Sequence, residues 1–148
     1  MKAKKSLGQN FLKSIIVLKK IVSTGSVVAT DLVLEIGPGK GALTRKILDT
    51  GARVVAVEKD GELIPVLREE FREEIKNKKL ILIEGDILDL DLKKVGVEKK
   101  KYKLIANIPY YITGAIIRKF LSGKTNPEKI VLLVQKEVAE RIDRKSVV

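Results

Sequence analysis

Val33-Leu34-Glu35-Ile36-Gly37-Pro38-Gly39-Lys40-Gly41-Ala42-Leu43-Thr44 is a stretch in which an apolar run leads into glycines at alternate positions and then into a helix-forming segment. A nearly continuous apolar run such as Leu32–Ile36 is typical of a parallel strand that is buried on both faces. Glycines allow a sharp turn and a close approach of the backbone to a ligand, because a Cβ would obstruct both. The stretch therefore predicts a strand, a ligand-binding turn and a helix whose N-terminal amides point at that turn.

The rest of the chain continues this alternation of strands and helices. Further strands are predicted at residues 54–57, 80–83, 104–106 and 130–134. Helices are predicted at residues 12–22, 42–50, 60–76, 112–121 and 135–142, and Pro65 stands early enough in the third of these to be tolerated or to kink it. Strands that alternate with helices indicate an α/β fold with a doubly wound, mostly parallel sheet. The run Lys99-Lys100-Lys101 is predicted to be a solvated loop.

Length and composition limit the possible functions. The 148 residues, 45% of them hydrophobic, suffice for one domain with a core. No apolar run reaches the ~20 residues that cross a bilayer, and no signal-peptide pattern opens the chain, so we expect a cytoplasmic location and no membrane partner. The chain has no cysteine and no histidine, which excludes disulfides and removes the commonest metal ligand, so we expect no metal site. The net charge of +11 suggests a polyanionic partner, although the lysine- and glutamate-rich surface of a heat-adapted protein explains it equally well.

Two acidic residues follow predicted strands at the edge where open α/β sheets bind their ligands. Glu58 follows the second strand, and its two carboxylate oxygens match the two hydroxyl groups of a ribose. Asp86 follows the third strand, where it is suitably placed to accept a hydrogen bond from the amino group of an adenine ring. Neither acid distinguishes S-adenosylmethionine from NAD, since Gly37-x-Gly39-x-x-Ala42 also fits the dinucleotide-binding pattern. Each acid is otherwise explained as a surface residue that ends a strand.

The sequence Asn107-Ile108-Pro109-Tyr110 at the end of the fourth strand separates these possibilities. The exocyclic amine of adenine is a poor nucleophile, because its lone pair is drawn into the ring. The side-chain oxygen of Asn107 and a backbone carbonyl at Ile108 or Pro109 can accept its two N–H bonds, which orients the lone pair towards a sulfonium methyl group. Tyr110 is suited to stack on a base that has been swung out of RNA. A turn stiffened by Pro109 is the structural alternative.

Several segments together resemble the ribosomal RNA adenine dimethyltransferase family of KsgA type, which shares its fold with the erythromycin-resistance methylases. The matching segments are Ser6-Leu7-Gly8-Gln9-Asn10-Phe11-Leu12, Leu34-Glu35-Ile36-Gly37-Pro38-Gly39-Lys40-Gly41-Ala42-Leu43-Thr44, Val57-Glu58-Lys59-Asp60, Glu84-Gly85-Asp86, Asn107-Ile108-Pro109-Tyr110-Tyr111-Ile112-Thr113 and Val134-Gln135-Lys136-Glu137-Val138-Ala139-Glu140-Arg141-Ile142. They occur in the family's order and span nearly the whole chain. The resemblance implies the Rossmann-like fold of S-adenosylmethionine-dependent methyltransferases.

The resemblance also implies a substrate and a set of site residues. S-adenosylmethionine would be the methyl donor, and the targets would be two adjacent adenosines of small-subunit (16S) ribosomal RNA in a pre-30S particle, each methylated twice on the exocyclic nitrogen. Asn10 and Leu12 would close over the donor, Gly37 would contact its methionine portion, and Asn107 would border both donor and target. The implied donor-binding residues are Asn10, Leu12, Gly37, Gly39, Glu58, Asp86 and Asn107, and the implied catalytic residues are Asn107, Ile108, Pro109 and Tyr110. We expect the full-length protein to be a monomer.

The end of the chain departs from the family. The catalytic fold of the family carries two more strands and is followed by a small helical domain that helps to engage RNA, so residues 1–142 are expected to be a partial methyltransferase domain. Residues 143–148 leave the family pattern and match one reading frame of a widely used sequencing-library adapter, so we expect them not to be native. Without a neighbour, the strand at residues 130–134 would be an apolar sheet edge. This predicts a marginally stable or aggregation-prone chain with weak donor binding and poor RNA turnover.

An RNA adenine dimethyltransferase that supports ribosome biogenesis is the function that these observations favour. Two alternatives remain: an NAD-dependent oxidoreductase, and a non-catalytic RNA-binding assembly factor of the same fold.

Overall fold

The computed structural model describes residues 15–133 of the chain. The five strands are β1 (Leu32–Ile36), β2 (Arg53–Glu58), β3 (Leu80–Glu84), β4 (Lys103–Asn107) and β5 (Lys129–Leu133). They form one parallel sheet in the order β3-β2-β1-β4-β5. The chain moves outward from β1 to β3 and then crosses to the other side of β1, so the switch point of the sheet lies between β1 and β4.

The helices lie on both faces of this sheet. They are α1 (Ile15–Thr24), α2 (Ala42–Asp49), α3 (Ile64–Glu70), α4 (Arg72–Lys76) and α5 (Thr113–Ser122), with short 3₁₀ helices at Leu92–Val95 and Tyr110–Ile112. None of the described helices is long and apolar enough to span a membrane.

Alternate residues of β1 enter two separate hydrophobic cores. Val33 belongs to a core between the sheet and helices α1 to α4. The buried residues of this core include Leu18, Ile21, Leu43, Ile47, Leu67 and Phe71. Leu34 and Ile36 belong to a core on the opposite face, together with Tyr102, Ile116 and Phe120. Successive side chains of a strand point to opposite faces, so helices on both sides favour apolar residues along the whole strand, with Glu35 the exception in β1. The doubly wound parallel sheet predicted from the sequence is confirmed.

The single helix predicted at residues 60–76 is wrong, because this segment forms α3 and α4 with a break at Phe71. Helix α3 begins only at Ile64, and Pro65 lies in its first turn, where a missing N–H removes no intrahelical hydrogen bond. Phe71 has φ −112° and ψ 31°, outside the helical region, and its ring is fully buried against Gly41. This burial depends on a contact between distant segments, which helical periodicity does not encode.

The other predicted elements agree with the structure to within two residues at the ends that the structure describes, and residues 12–14 of the first predicted helix lie outside the described residues. Strand β1 has the predicted bounds, and each of the other four strands extends one residue further than predicted at one or both described ends. Helix α5 is preceded by a 3₁₀ turn that was not predicted. Lys99, Lys100 and Lys101 are exposed in a loop, as predicted. Residue 134, the predicted helix at residues 135–142 and the tail at residues 143–148 lie outside the described residues.

Candidate active site

The carboxyl ends of β1, β2 and β4 meet at one point of the sheet edge. The register pairs Ile36, the last residue of β1, with the penultimate residue of β2 and with that of β4. Gly37, Glu58 and Asn107 are therefore level with one another at the switch point of the sheet. Open α/β sheets bind their ligands at such a point.

The glycine loop, residues 37–41, leaves β1 against the end of β4. The Gly37 N–H donates to the Val57 carbonyl oxygen at 3.0 Å, and Gly37 adopts φ +75°. A Cβ on Gly37 would lie 2.5 Å from the backbone oxygen of Asn107, so the two segments approach too closely for a side chain. Gly39 has φ +61°, but a Cβ there would meet nothing within 4 Å. The loop thus has a tightly packed base and open space at Gly39.

Glu58 is held in one orientation by the backbone around it. Its Oε1 accepts a hydrogen bond from the Gly39 N–H at 3.1 Å, and its Oε2 accepts one from the Asp60 N–H at 2.9 Å. The residue is only 7% exposed. A buried carboxylate needs such partners, and each of its oxygens keeps a further lone pair for a ligand hydroxyl group. Glu58 is therefore a fixed acceptor beside the open space at Gly39.

Asp86 lies in the loop that follows β3, next to Glu58. The Gly85 N–H donates to the Glu58 carbonyl oxygen at 2.9 Å, which joins the two strand ends. Asp86 Oδ1 accepts a hydrogen bond from the Leu88 N–H at 3.0 Å, and Oδ2 lies 3.5 Å from Lys59 Nζ. The bond from Leu88 and the charge of Lys59 lower the pKa of Asp86 against the opposing effect of burial. Asp86 is therefore an ionised acceptor at neutral pH.

The segment after β4 contains the backbone carbonyls of Ile108 and Pro109, which the sequence left as alternative acceptors, and the two differ in their hydrogen bonds. The Pro109 carbonyl oxygen accepts hydrogen bonds from the Ile112 N–H at 3.2 Å and from the Thr113 hydroxyl at 3.4 Å. Within residues 15–133, the Ile108 carbonyl oxygen and the Asn107 side chain take part in no such bond. Within the described residues the Pro109 carbonyl therefore stabilises the turn, whereas the carbonyl of Ile108, a residue that is only 3% exposed, has no hydrogen-bond partner.

The structure brings together most of the predicted site residues. Gly37, Gly39, Glu58, Asp86 and Asn107 line one stretch of the sheet edge, and Ile108 and Pro109 continue it. Asn10 and Leu12 lie outside the described residues, and of Tyr110 only the backbone position, at the start of a 3₁₀ helix, is described. The roles of all these residues in binding or catalysis stay predictions.

Glu35 is a buried acid to which the sequence interpretation assigned no role, although it stands in the strand that leads into the glycine loop. It is 1% exposed in the middle of an apolar strand, and its Oε1 accepts a hydrogen bond from the Thr44 hydroxyl on α2 at 2.5 Å. Burial raises the pKa of Glu35 to about 7, and the nearby charge of Glu58 adds to this effect. An acid in a strand predicted to be buried on both faces is the signal that points to it. The hydrogen bond between Glu35 and Thr44 joins β1 to the first turn of α2.

Comparison with other proteins places this geometry in a family. The family model described as ribosomal RNA adenine dimethylase matches residues 1–146. The chain belongs to the ribosomal RNA adenine dimethylase family. A protein named ribosomal RNA small subunit methyltransferase A from Dehalococcoides mccartyi (strain CBDB1) is 45% identical over 146 residues, which are 99% of this chain and 49% of the relative.

Solved structures of similar proteins share the fold of this ribosomal RNA adenine dimethylase domain. A dimethyladenosine transferase from Plasmodium falciparum superposes with a TM-score of 0.71 at 34% identity, over 88% of this chain and 45% of that one. The 23S rRNA methyltransferase ErmE gives a TM-score of 0.72 at 29% identity, over 88% of this chain and 50% of that one. The chain spans about half the length of the curated relatives that it matches.

Proposed function

We propose that this protein transfers methyl groups from S-adenosylmethionine to the exocyclic amino nitrogen of two adjacent adenosines in small-subunit ribosomal RNA. Membership of the adenine dimethylase family supports the reaction class. The observation that carries the proposal is the contact of Gly37 with the Asn107 carbonyl oxygen, because it puts the glycine loop beside the Asn107-Ile108-Pro109-Tyr110 segment. A donor bound over the loop and a base bound at that segment are then neighbours, as methyl transfer requires.

The residues around the glycine loop fit S-adenosylmethionine. The open space at Gly39 admits the methionine portion, since even a Cβ there would meet no atom within 4 Å. Glu58 keeps lone pairs for the ribose hydroxyl groups, and the ionised Asp86 accepts from the adenine amino group. When bound, the donor supplies an electrophilic methyl group on a sulfonium ion. The family match gives no support to the oxidoreductase alternative.

The end of β4 fits the amino group of a target adenine. The Asn107 side-chain oxygen and the Ile108 carbonyl oxygen are two acceptors that the described chain does not occupy. Two N–H bonds to these oxygens would turn the nitrogen lone pair out of conjugation with the ring and stabilise the positive charge that develops during transfer. Pro109 contributes rigidity, because its carbonyl is already bonded within the turn. In this proposal Tyr110 stacks on the flipped base.

The same proposal covers partner and location. A net charge of +11 suits a polyphosphate surface such as a pre-30S particle, where lysines and arginines release counterions on binding. We place the reaction in the cytoplasm and the full-length protein in the monomeric state.

The proposal is tested with the full-length protein and unmethylated small ribosomal subunits. We expect calorimetry to show binding of S-adenosylmethionine and not of NAD, and mass spectrometry of digested RNA to show N6,N6-dimethyladenosine. Asn107→Ala should lower the rate of transfer by about 10²–10³-fold, as loss of a transition-state hydrogen bond does. Asn77→Ala, which changes an exposed asparagine after α4, is the control and should leave the rate unchanged. Donor binding without transfer by the wild type would favour the assembly-factor alternative.

A further inference from the structure

Lys119 connects helix α5 to the loop that carries Asp86. Its Nζ donates hydrogen bonds to the carbonyl oxygens of Ile87 at 2.5 Å and Leu90 at 2.7 Å. These two residues belong to the adenine loop, which we define as residues 85–91 between β3 and the following 3₁₀ helix. Helix α5 follows the Asn107-Ile108-Pro109-Tyr110 segment after one 3₁₀ turn, so one side chain joins the two halves of the candidate site.

The ammonium group is suited to fix the shape of this loop. A loop without regular secondary structure leaves backbone carbonyls without partners, and an ammonium group provides three donors for them. Burial lowers the pKa of Lys119, whereas Asp89, Asp86 and Asp91 raise it, so the group is a partly buried cation among three carboxylates. The Ile87 side chain is itself buried in the core on this face of the sheet. The loop is therefore held both by its apolar residues and by the cation.

The position of the Asp86 carboxylate depends on this loop. Its Oδ1 accepts a hydrogen bond from the Leu88 N–H at 3.0 Å, so the backbone between the two carbonyls bound by Lys119 orients the carboxylate. Lys59 approaches Asp86 Oδ2 at 3.5 Å from the other side, but its side chain is 78% exposed and restrains the loop little. Lys119 is thus the cation placed to keep Asp86 in position.

We propose that Lys119 is a positioning residue for selective recognition of the donor's adenine ring, acting through the adenine loop on Asp86. This inference rests on the proposed function, in which Asp86 accepts from the adenine amino group. Removal of the Lys119 ammonium frees two loop carbonyls and lets the Asp86 carboxylate move. The preference for an amino group over a carbonyl at that position of the purine then falls.

The experiment compares S-adenosylhomocysteine with S-inosylhomocysteine, in which a carbonyl oxygen replaces the adenine amino group. Dissociation constants of both are measured by calorimetry on the full-length protein. We expect the wild type to prefer the adenine form. In Lys119→Met, which keeps the apolar stem, the ratio of the two dissociation constants should be about tenfold smaller. Asp86→Asn should also lose it, because its amide no longer supplies two acceptor oxygens. Lys124→Met, an exposed lysine just beyond α5, is the matched control and should keep it.

The ratio of the two constants separates positioning from a general loss of stability. A lower melting temperature of Lys119→Met with an unchanged ratio would overturn the inference, since a merely structural role weakens both ligands alike. Lys119→Gln, which keeps a neutral donor, serves as the second variant if the methionine variant does not fold, and should lose part of the preference. Wild-type protein that binds neither compound would instead overturn the proposed function.

Discussion

Gly37 and Asn107 lie in such close contact that a Cβ on Gly37 would stand 2.5 Å from the Asn107 carbonyl oxygen. Gly37 directly follows β1 and Asn107 is the last residue of β4, on either side of the switch point, and their contact leaves no room for a side chain between the glycine loop and β4. Gly37 also adopts φ +75°, a conformation that costs other residues about 1–2 kcal/mol. A side chain at Gly37 would therefore meet both the cost of the left-handed conformation and the overlap with Asn107.

Gly37→Ala should therefore destabilise the fold by at least about 2 kcal/mol, since both the left-handed conformation and the overlap with backbone oppose it. Gly39→Ala is the matched variant, because Gly39 has φ +61° but open space around it. It should cost only about 1 kcal/mol and yet weaken S-adenosylmethionine binding, as its methyl group would enter the space proposed for the donor. Denaturant unfolding and calorimetry measure the two effects. Equal stability of the two variants would contradict the role given to the Asn107 contact.

Glu58→Gln should weaken S-adenosylmethionine binding by about tenfold or more, because the amide replaces one acceptor oxygen by a donor that faces the N–H of either Gly39 or Asp60. Glu84→Gln is the control, since Glu84 is paired with Glu58 at the same end of the neighbouring strand but is exposed. Calorimetric titration of both variants gives the comparison. If both lose the same affinity, the acidic edge acts only through its overall charge and Glu58 has no specific role.

The buried Glu35 carboxyl should make the stability of the fold depend on pH. Its pKa rises from 4.5 to about 7 on folding, so its stabilising protonation is complete below pH 4.5 and is lost as the pH rises through about 7. The shift corresponds to about 3 kcal/mol between these limits. Glu35→Gln mimics the protonated form and still accepts from Thr44, so it should be more stable than the wild type at pH 8 and similar at pH 4.5.

Chemical unfolding of both proteins at pH 4.5, 6 and 8 measures this difference. Glu62→Gln, an exposed glutamate, should follow the wild-type pH dependence. A constant difference between Glu35→Gln and the wild type at all three pH values would show that Glu35 does not titrate in this range.

An ion pair at the opposite edge of the sheet should contribute to stability. Lys103 Nζ lies 2.9 Å from Asp31 Oδ2 and donates to the Ser26 carbonyl oxygen at 2.7 Å, and the paired side chains are only 10% and 15% exposed. Lys103→Met should cost about 3 kcal/mol, because it leaves a buried carboxylate without its cation. Lys101→Met breaks the exposed pair of Lys101 with Glu98 and should leave the unfolding midpoint unchanged within error. A similar effect of both variants would contradict the importance of burial.

Much of the fold could be predicted from the sequence because its signals are local. Apolar runs such as Leu32–Ile36 gave the strands, and the acids and the asparagine after them could be assigned to one edge, since parallel strands end at the same side. The segment at residues 60–76 shows the limit of this reasoning. Its helical pattern is continuous, but Phe71 leaves the helix to fill a space against Gly41, and nothing within the segment signals that contact.

The residues of the candidate site likewise divide into those with a local sequence signal and those whose role depends on contacts between distant segments. Glu58, Asp86 and Asn107 were found from their positions after strands, and the resemblance to a family of RNA methyltransferases named their chemistry. Lys119 could not be found, because its partners Ile87 and Leu90 are about thirty residues away in sequence and offer only backbone oxygens. A lysine on a helix carries no mark that distinguishes a solvated side chain from one bound to a distant loop.

The sequence by itself determined the alternation of strands and helices, the glycine loop and the residue types at the strand ends, because each of these is written in patterns of a few neighbouring residues. Only the tertiary structure decided that, among the described residues, the Pro109 carbonyl is bonded within its turn and that of Ile108 is not, that Glu35 is buried with Thr44, and that Gly37 contacts Asn107. These features arise where segments far apart in the chain meet, and the free energy of such contacts depends on distances and burial that exist only once the sheet has formed.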